Sequence, residues 1–284
     1  MAKSSQSALY PDLEWMLEQL GDHHSFLQLS SEAEQRYRAT MGEAFKSSAP
    51  RPKVATRFRQ ARAIESSQKG RIRSVTVPSM SGDEAAQKEY AGKVAGLLSK
   101  RPPPCGIILD LRGNGGGNMW PMLAGLSPLF SSSTLGAFVE PSTRMEIGAR
   151  SGALFVTKDG KDQQVTSLEG WRNDPVLQTR PVAVLLDGAT GSSGEIVAIL
   201  LSARPRVRTF GQATYGASTS TEGFPLSDGA NLVLVTSGVA DARGKVHMNG
   251  LTPDQPVDFV PEISRDGDPD VMAANAWLTA TQCR

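Results

Sequence analysis

Cysteine is nearly missing from this chain: Cys105 and Cys283 are the only two among 284 residues. Two are too few to suggest a disulfide framework or a thiolate metal cluster. Cys105 stands just before an apolar run and reads as a small buried residue, while Cys283 falls in a tail expected to fray. Histidine is also scarce, with His23, His24 and His247 only, and no metal site is expected. Neither charge sign is in surplus. The 30 Lys and Arg against 29 Asp and Glu leave a formal net charge of +1, which gives no electrostatic case for a nucleic-acid partner. Long apolar runs are missing too, and none approaches the roughly 20 residues of a membrane-spanning helix. The start, Met1-Ala-Lys-Ser-Ser-Gln, has no signal-peptide apolar region. No internal repeat or low-complexity segment is visible. A hydrophobic content of 39% and a charged content of 21% suit a globular chain of one large domain or two small ones.

What is present alternates between strand and helix. Tyr10–Leu20 carries Leu13, Met16, Leu17 and Leu20 at helical spacing, with Pro11 in the first turn and Gly21 as the stop. Asp22–Phe26 reads as a turn, Ser31–Phe45 as a second helix and Ser47–Lys53, with Pro50 and Pro52, as a linker. From about Arg71 the pattern changes. Strands are expected at Ile72–Val77, Gly106–Leu111, Val182–Leu186, Val207–Phe210 and Asn231–Ser237. Helices are expected at Asp83–Leu98, Met119–Leu126, Glu195–Ser202 and Pro269–Ala280. Residues from about 131 to 180 read as an insertion of short strands and loops. The domain expectation is thus an N-terminal helical region over 1–50, a catalytic α/β core over 71–284, and a β-rich insertion or cap over 131–180 within it. Alternating elements of this kind form a layered helix–sheet–helix core.

Two junctions carry chemistry. Asp187-Gly-Ala-Thr-Gly-Ser192-Ser-Gly-Glu195 joins an apolar strand to an apolar helix. Small residues and a serine at such a turn suit a nucleophile, because the hydroxyl is exposed and the first N–H groups of the helix are free. Asp110-Leu-Arg112-Gly-Asn-Gly-Gly116-Gly117 also follows a strand. It lacks the ending of a phosphate loop and does not fit the dinucleotide fingerprint. Its glycines serve either a tight turn or an oxyanion hole, in which backbone N–H groups point into a cleft unobstructed.

Taken together, these segments resemble the carboxyl-terminal processing, or tail-specific, serine protease family. Ile108–Gly117 resembles its signature loop and Gly188–Ile196 its nucleophile segment. Gly211-Gln-Ala-Thr-Tyr-Gly216, Leu226-Ser-Asp-Gly229 and Gly250-Leu-Thr-Pro-Asp254 follow in the family's order. The resemblance covers roughly Arg71 to the end plus a short N-terminal piece. It implies a mixed α/β, crotonase-like core that acts through an acyl-enzyme and needs no cofactor. Ser192, three positions before Glu195, is the implied nucleophile, with the adjacent Ser193 as runner-up. The implied oxyanion donors are the N–H groups of Gly116 and Ser193.

The chain departs from the better-known members at one position. These use a lysine directly after Thr-Phe-Gly, but here Thr214-Tyr215-Gly216 leads into Ala217, and no lysine lies between Lys161 and Lys245. The 46 residues between His24 and Arg71 are also too few for a PDZ domain with its linkers. A serine without a lysine needs another base, and histidine is the natural choice. Leu20-Gly-Asp-His-His-Ser25 resembles the matching segment of histidine-using relatives, the nisin-resistance proteins and the tricorn core protease, and the matching position is His24. His23 reads as a solvent-facing or capping neighbour, Ser25 as an aid to the ring or the oxyanion region, and His247 as a rival base. No acidic third member is recognisable.

Glu195 is expected in the first helical turn or anchoring the site loops. Arg112, with Asp110, is expected to hold the glycine loop through an ion pair, and Trp120 to pack or to wall a pocket. A peptidase is the leading expectation. A carboxylesterase on the same site and an apolar-ligand carrier like the retinoid-binding branch are the alternatives. Substrate is therefore a peptide or an ester, and the oligomeric state is open. The resemblance also implies work outside the cytoplasm, in the periplasm or secreted. A base on the N-terminal piece implies that the site forms only when that helical region docks on the sheet domain.

Overall fold

The computed structural model describes residues 9–41, 63–131, 133–172, 174–202, 204–260, 267–281 and 283. The end of the expected second helix, beyond Met41, and the linker Ser47–Lys53 lie outside them. The chain divides into two compact units: Met1–Lys53 with Thr219–Ser237, and Val54–Ser218 with Gly238–Arg284.

The larger unit is built on a six-stranded sheet. Its order is Gln255–Pro256, Val207–Gly211, Val182–Leu186, Gly106–Asp110, Ile72–Thr76, Ser66–Lys69. Every pairing is parallel except the last. The central strands are apolar on both faces because both are covered, as parallel sheets require. Successive side chains alternate between two cores. Ile107, Leu109, Val182, Val184 and Leu186 pack with Val94, Leu123 and Val197 from the helices Glu84–Ser99, Met119–Leu126 and Ser193–Ser202. Ile108, Ala183, Leu185 and Phe210 pack on the opposite face with Ala274 and Leu278 of the helix Pro269–Thr281. The fold is mixed α/β, with helices on both faces of the sheet.

A second, antiparallel sheet in this unit joins Thr134–Val139, Arg144–Arg150, Ala153–Lys158 and Lys161–Ser167 in sequence order. Gly238–Asp241 pairs with Val139–Gly136, and Val246–His247 pairs with Ala240 and Val239.

In the smaller unit, the helices Tyr10–Gln19 and Ser31–Met41 flank a short strand, Phe26–Gln28, which pairs with Val233–Asn231. Ser220–Pro225 is antiparallel to the same strand. Tyr10, Leu17, Leu27, Ala33, Tyr37 and Ala230 form its core, with the Tyr10 and Tyr37 rings edge-on at 5.1 Å. Among the described residues no helix is long and apolar enough to cross a membrane.

Three expectations change. Phe26 opens a strand rather than ending a turn, and the strand starting at Asn231 runs on to Asp241. The cysteines change most: Cys105 and Cys283 are bonded to each other, with Cα atoms 5.3 Å apart. Cys105 is buried as expected but is no free thiol, and Cys283 is stapled down rather than frayed. The cause is tertiary. Leu278 packs so closely on Gly106 that a Cβ there would lie 2.9 Å from its Cδ2, which brings the end of the last helix to the start of the central strand. The two residues are 178 positions apart, so spacing could not announce the pair.

Candidate active site

The glycine loop and the serine turn leave the carboxyl ends of two adjacent parallel strands, Gly106–Asp110 and Val182–Leu186. In parallel sheets this edge is where ligands bind. The loops are knitted together. Asp187 Oδ1 accepts from Gly113 N–H at 2.9 Å and from Ala189 and Thr190 N–H at 3.0 and 2.9 Å. Thr190 Oγ1 donates to Leu111 O at 2.9 Å, and Gly191 N–H donates to Asn114 O at 2.9 Å.

Asn114 ties the loop to the rest of the sheet edge. It is wholly buried, its Nδ2 donates to Val77 O at 2.9 Å, and its Oδ1 accepts from Gly116 N–H at 3.0 Å. Gly116 has φ +110° and abuts the serine turn: a Cβ there would lie 2.7 Å from Ser192 Cβ. Gly117, at φ +102°, admits no side chain either, because a Cβ would lie 2.1 Å from Met80 O.

The two serines sit differently. Ser192 takes the left-handed backbone, φ +51°, and is partly exposed. Among the described residues its Oγ has no hydrogen-bond partner. Ser193 is buried, begins the helix, and its Oγ donates to Gly117 O at 2.5 Å. Among the described residues the Ser193 N–H is unpartnered.

Glu195 is fully buried and organises this turn. Its Oε2 accepts from Ser192 N–H at 2.9 Å and Ala217 N–H at 2.8 Å. Its Oε1 accepts from Gly216 N–H at 2.7 Å and from Thr214 Oγ1. Burial pushes its carboxyl above the ordinary glutamate value, although the four donors pull the other way. The segment after Thr214 thus reaches the Ser192 turn through Glu195, and Ala217 presents its N–H there instead of a lysine side chain.

Arg112 does hold the glycine loop, with more partners than Asp110 alone. It makes a two-pronged pair with Asp110 at 2.9 and 2.7 Å, and its Nη1 reaches Asp268 at 2.7 Å and Asp270 at 2.9 Å. Burial works against its charge, but the Asp110 and Asp268 carboxylates outweigh it and raise its pKa. Trp120 packs edge-on against Phe138 at 6.4 Å and is partly buried.

His24 belongs to the smaller unit. Its Nδ1 lies 2.9 Å from Thr219 Oγ1, and burial lowers its pKa from 6.5, with Asp22 pulling upward. Asp22 is itself committed to the turn: Oδ1 accepts from His24 and Ser25 N–H, and Oδ2 from Ser25 Oγ at 2.8 Å. Ser25 Oγ accepts from Val235 N–H at 3.0 Å, so Ser25 fixes the turn to the strand. His23 is exposed. His247 is buried in the larger unit, with Nε2 at 3.7 Å from Asp241 Oδ2, and burial lowers its pKa too. Asn114 and Thr219 were not anticipated from sequence. An asparagine inside a glycine run was the one available sign of the first.

Comparison with known proteins agrees with the motifs. The model of peptidase family S41 matches residues 71–257. The nisin-resistance protein of Lactococcus lactis subsp. lactis is 30% identical over 182 residues, covering 63% of this chain and 54% of that protein. The carboxy-terminal processing protease CtpA of Bacillus subtilis (strain 168) is 28% identical over 171 residues, covering 60% of this chain and 32% of the protease. The chain therefore spans about half the length of one relative and a third of the other. A solved structure of a lipoprotein from Streptococcus agalactiae shares the fold, with a TM-score of 0.67 and 24% identity over 98% of this chain and 84% of that one. With its order of motifs and its two loops at one sheet edge, this chain belongs to peptidase family S41.

Proposed function

We propose that this protein is a serine peptidase in which Ser192 is the nucleophile and His24 the general base. Ser192 Oγ attacks the peptide carbonyl while His24 takes its proton and then returns it to the leaving amine. Water repeats the sequence on the acyl-enzyme. The observation that carries the reading is the contrast between the two serines. Ser193 spends its hydroxyl on Gly117 O, while Ser192, on a turn held by Glu195, keeps a partly exposed hydroxyl with no partner among the described residues.

Ser193 N–H, at the start of a ten-residue helix, is one oxyanion donor. Gly116 N–H is the other; in the resting protein it donates to Asn114 Oδ1, and an oxyanion competes for it. The lowered pKa of His24 supports its role, since a base must be neutral at working pH. The Cys105–Cys283 disulfide supports an oxidising compartment outside the cytoplasm.

Labelling by a fluorophosphonate tests the site. The parent protein and Ser193→Ala are expected to label, and Ser192→Ala and His24→Ala to lose labelling by at least about 100-fold. The labelling rate of the parent is expected to fall as pH drops through a value below 6.5. Labelling that survives Ser192→Ala but not Ser193→Ala refutes the nucleophile assignment. A parent protein that does not label favours an apolar-ligand carrier. Turnover of short-chain esters without peptide cleavage makes the enzyme an esterase.

A further inference from the structure

We propose that Thr219 is the positioning residue of the general base: its hydroxyl accepts a hydrogen bond from His24 Nδ1–H and so leaves the other ring nitrogen, Nε2, unprotonated to act as the base. The inference rests on His24 being the base. It supplies the orienting group that the sequence left unidentified.

An imidazole base needs a fixed tautomer, because only the ring nitrogen without a proton can take one from a serine. Serine hydrolases commonly fix it with a carboxylate on the far nitrogen. Here the carboxylate nearest in sequence is not available for that task. Asp22 uses Oδ1 on the N–H groups of His24 and Ser25 and Oδ2 on the Ser25 hydroxyl. Thr219 Oγ1 lies 2.9 Å from Nδ1, and a hydrogen bond from the ring to the Thr219 backbone also pulls its pKa upward. Thr219 is only 2% exposed, so water does not readily displace it. Its backbone is fixed too. Ser220, the next residue, begins a strand that is hydrogen-bonded to the strand Asn231–Asp241, and Val235 of that strand donates to Ser25 Oγ. The histidine turn and the threonine are thus pinned to the same strand. A 2.9 Å contact fits either Nδ1–H donating to the hydroxyl or the hydroxyl donating to Nδ1. Only the first leaves Nε2 as a base.

A neutral hydroxyl differs from a carboxylate in one consequence. It fixes the ring but does not neutralise the imidazolium formed during attack. Asp22 is the charge that remains to favour that cation, acting through space rather than through the ring nitrogen.

The test combines the tautomer with kinetics in the whole 284-residue chain. Nitrogen-15 NMR of His24 is expected to show Nδ1–H with Nε2 unprotonated at neutral pH. Thr219→Val, which keeps the shape and the backbone and removes only the hydroxyl, is expected to slow the maximal rate of fluorophosphonate labelling by roughly 10- to 100-fold, with little change in the probe's half-saturation and with its acid limb displaced. Thr219→Ser is expected to restore both rate and limb. A purely structural threonine would instead lower thermal stability and leave the limb in place. An Nε2–H tautomer, or a Thr219→Val protein with the parent's rate and pH profile, overturns the proposal. His24→Ala that still labels at the parent rate overturns the underlying assignment instead, so the two failures are distinguishable.

Discussion

Ser192 holds a backbone angle that few serines adopt. A non-glycine residue at φ +51° costs about 1 kcal/mol relative to glycine, and such outliers persist only where their surroundings hold them. Here the hold is Glu195 on the Ser192 N–H and the close approach of Gly116. The serine is therefore held against local preference by its surroundings. A pair of variants separates the hydroxyl from the strain. Ser192→Ala removes the hydroxyl but keeps the strain, whereas Ser192→Gly removes both. Ser192→Gly is expected to be more stable than Ser192→Ala by about 1 kcal/mol in urea unfolding, with neither labelled by the probe. An alanine variant at least as stable as the glycine variant would show that the turn carries no strain at this residue.

Among the elements, the glycine loop and the last helix stand together through Arg112. Asp268 caps that helix with Oδ1, accepting from Asp270 N–H at 3.0 Å, while its Oδ2 receives Arg112. Removing the guanidinium leaves three carboxylates clustered without their shared cation. Arg112→Met is therefore expected to lower stability by about 3–5 kcal/mol and to slow labelling, because the loop that abuts Ser192 loses its tether. Urea midpoints at low and high salt measure this, and a variant with the parent's midpoint would show that the clamp is dispensable. Elements of this buried kind were also the legible ones. Val182–Leu186 and Met119–Leu126 have the expected bounds because each is an apolar run closed by small or polar residues. The strands that escaped notice are polar or short. Ser66–Lys69 is exposed throughout, Ser220–Pro225 carries Glu222, Gly223 and Pro225, and Phe26–Gln28 is three residues long. Edge strands of this sort take their structure from a partner, not from their own pattern.

At the level of the whole molecule, what could be read from the sequence depended on distance along it. Ser192, Glu195 and the helix they open fall within one short segment, so a motif could carry them. The partner of His24 lies 195 positions away, and the disulfide joins residues 178 apart. Neither separation leaves a periodicity or a spacing to detect. The disulfide also has the larger thermodynamic consequence. It closes a loop of most of the larger unit, and in the chain-entropy view such a cross-link restricts the unfolded ensemble and stabilises by about 2–4 kcal/mol. It also secures the helix Pro269–Thr281, which covers one face of the central sheet through Ala274 and Leu278 and carries the Asp270 end of the Arg112 clamp. Reduction, or Cys283→Ser, is therefore expected to lower the melting temperature by roughly 5–15 °C. At a temperature between the two melting points, labelling of Ser192 is expected to be lost along with the fold. A reduced protein that melts with the oxidised one would mean that packing of Leu278 on Gly106 holds the helix unaided, and the disulfide would then lose its standing as support for a compartment outside the cytoplasm.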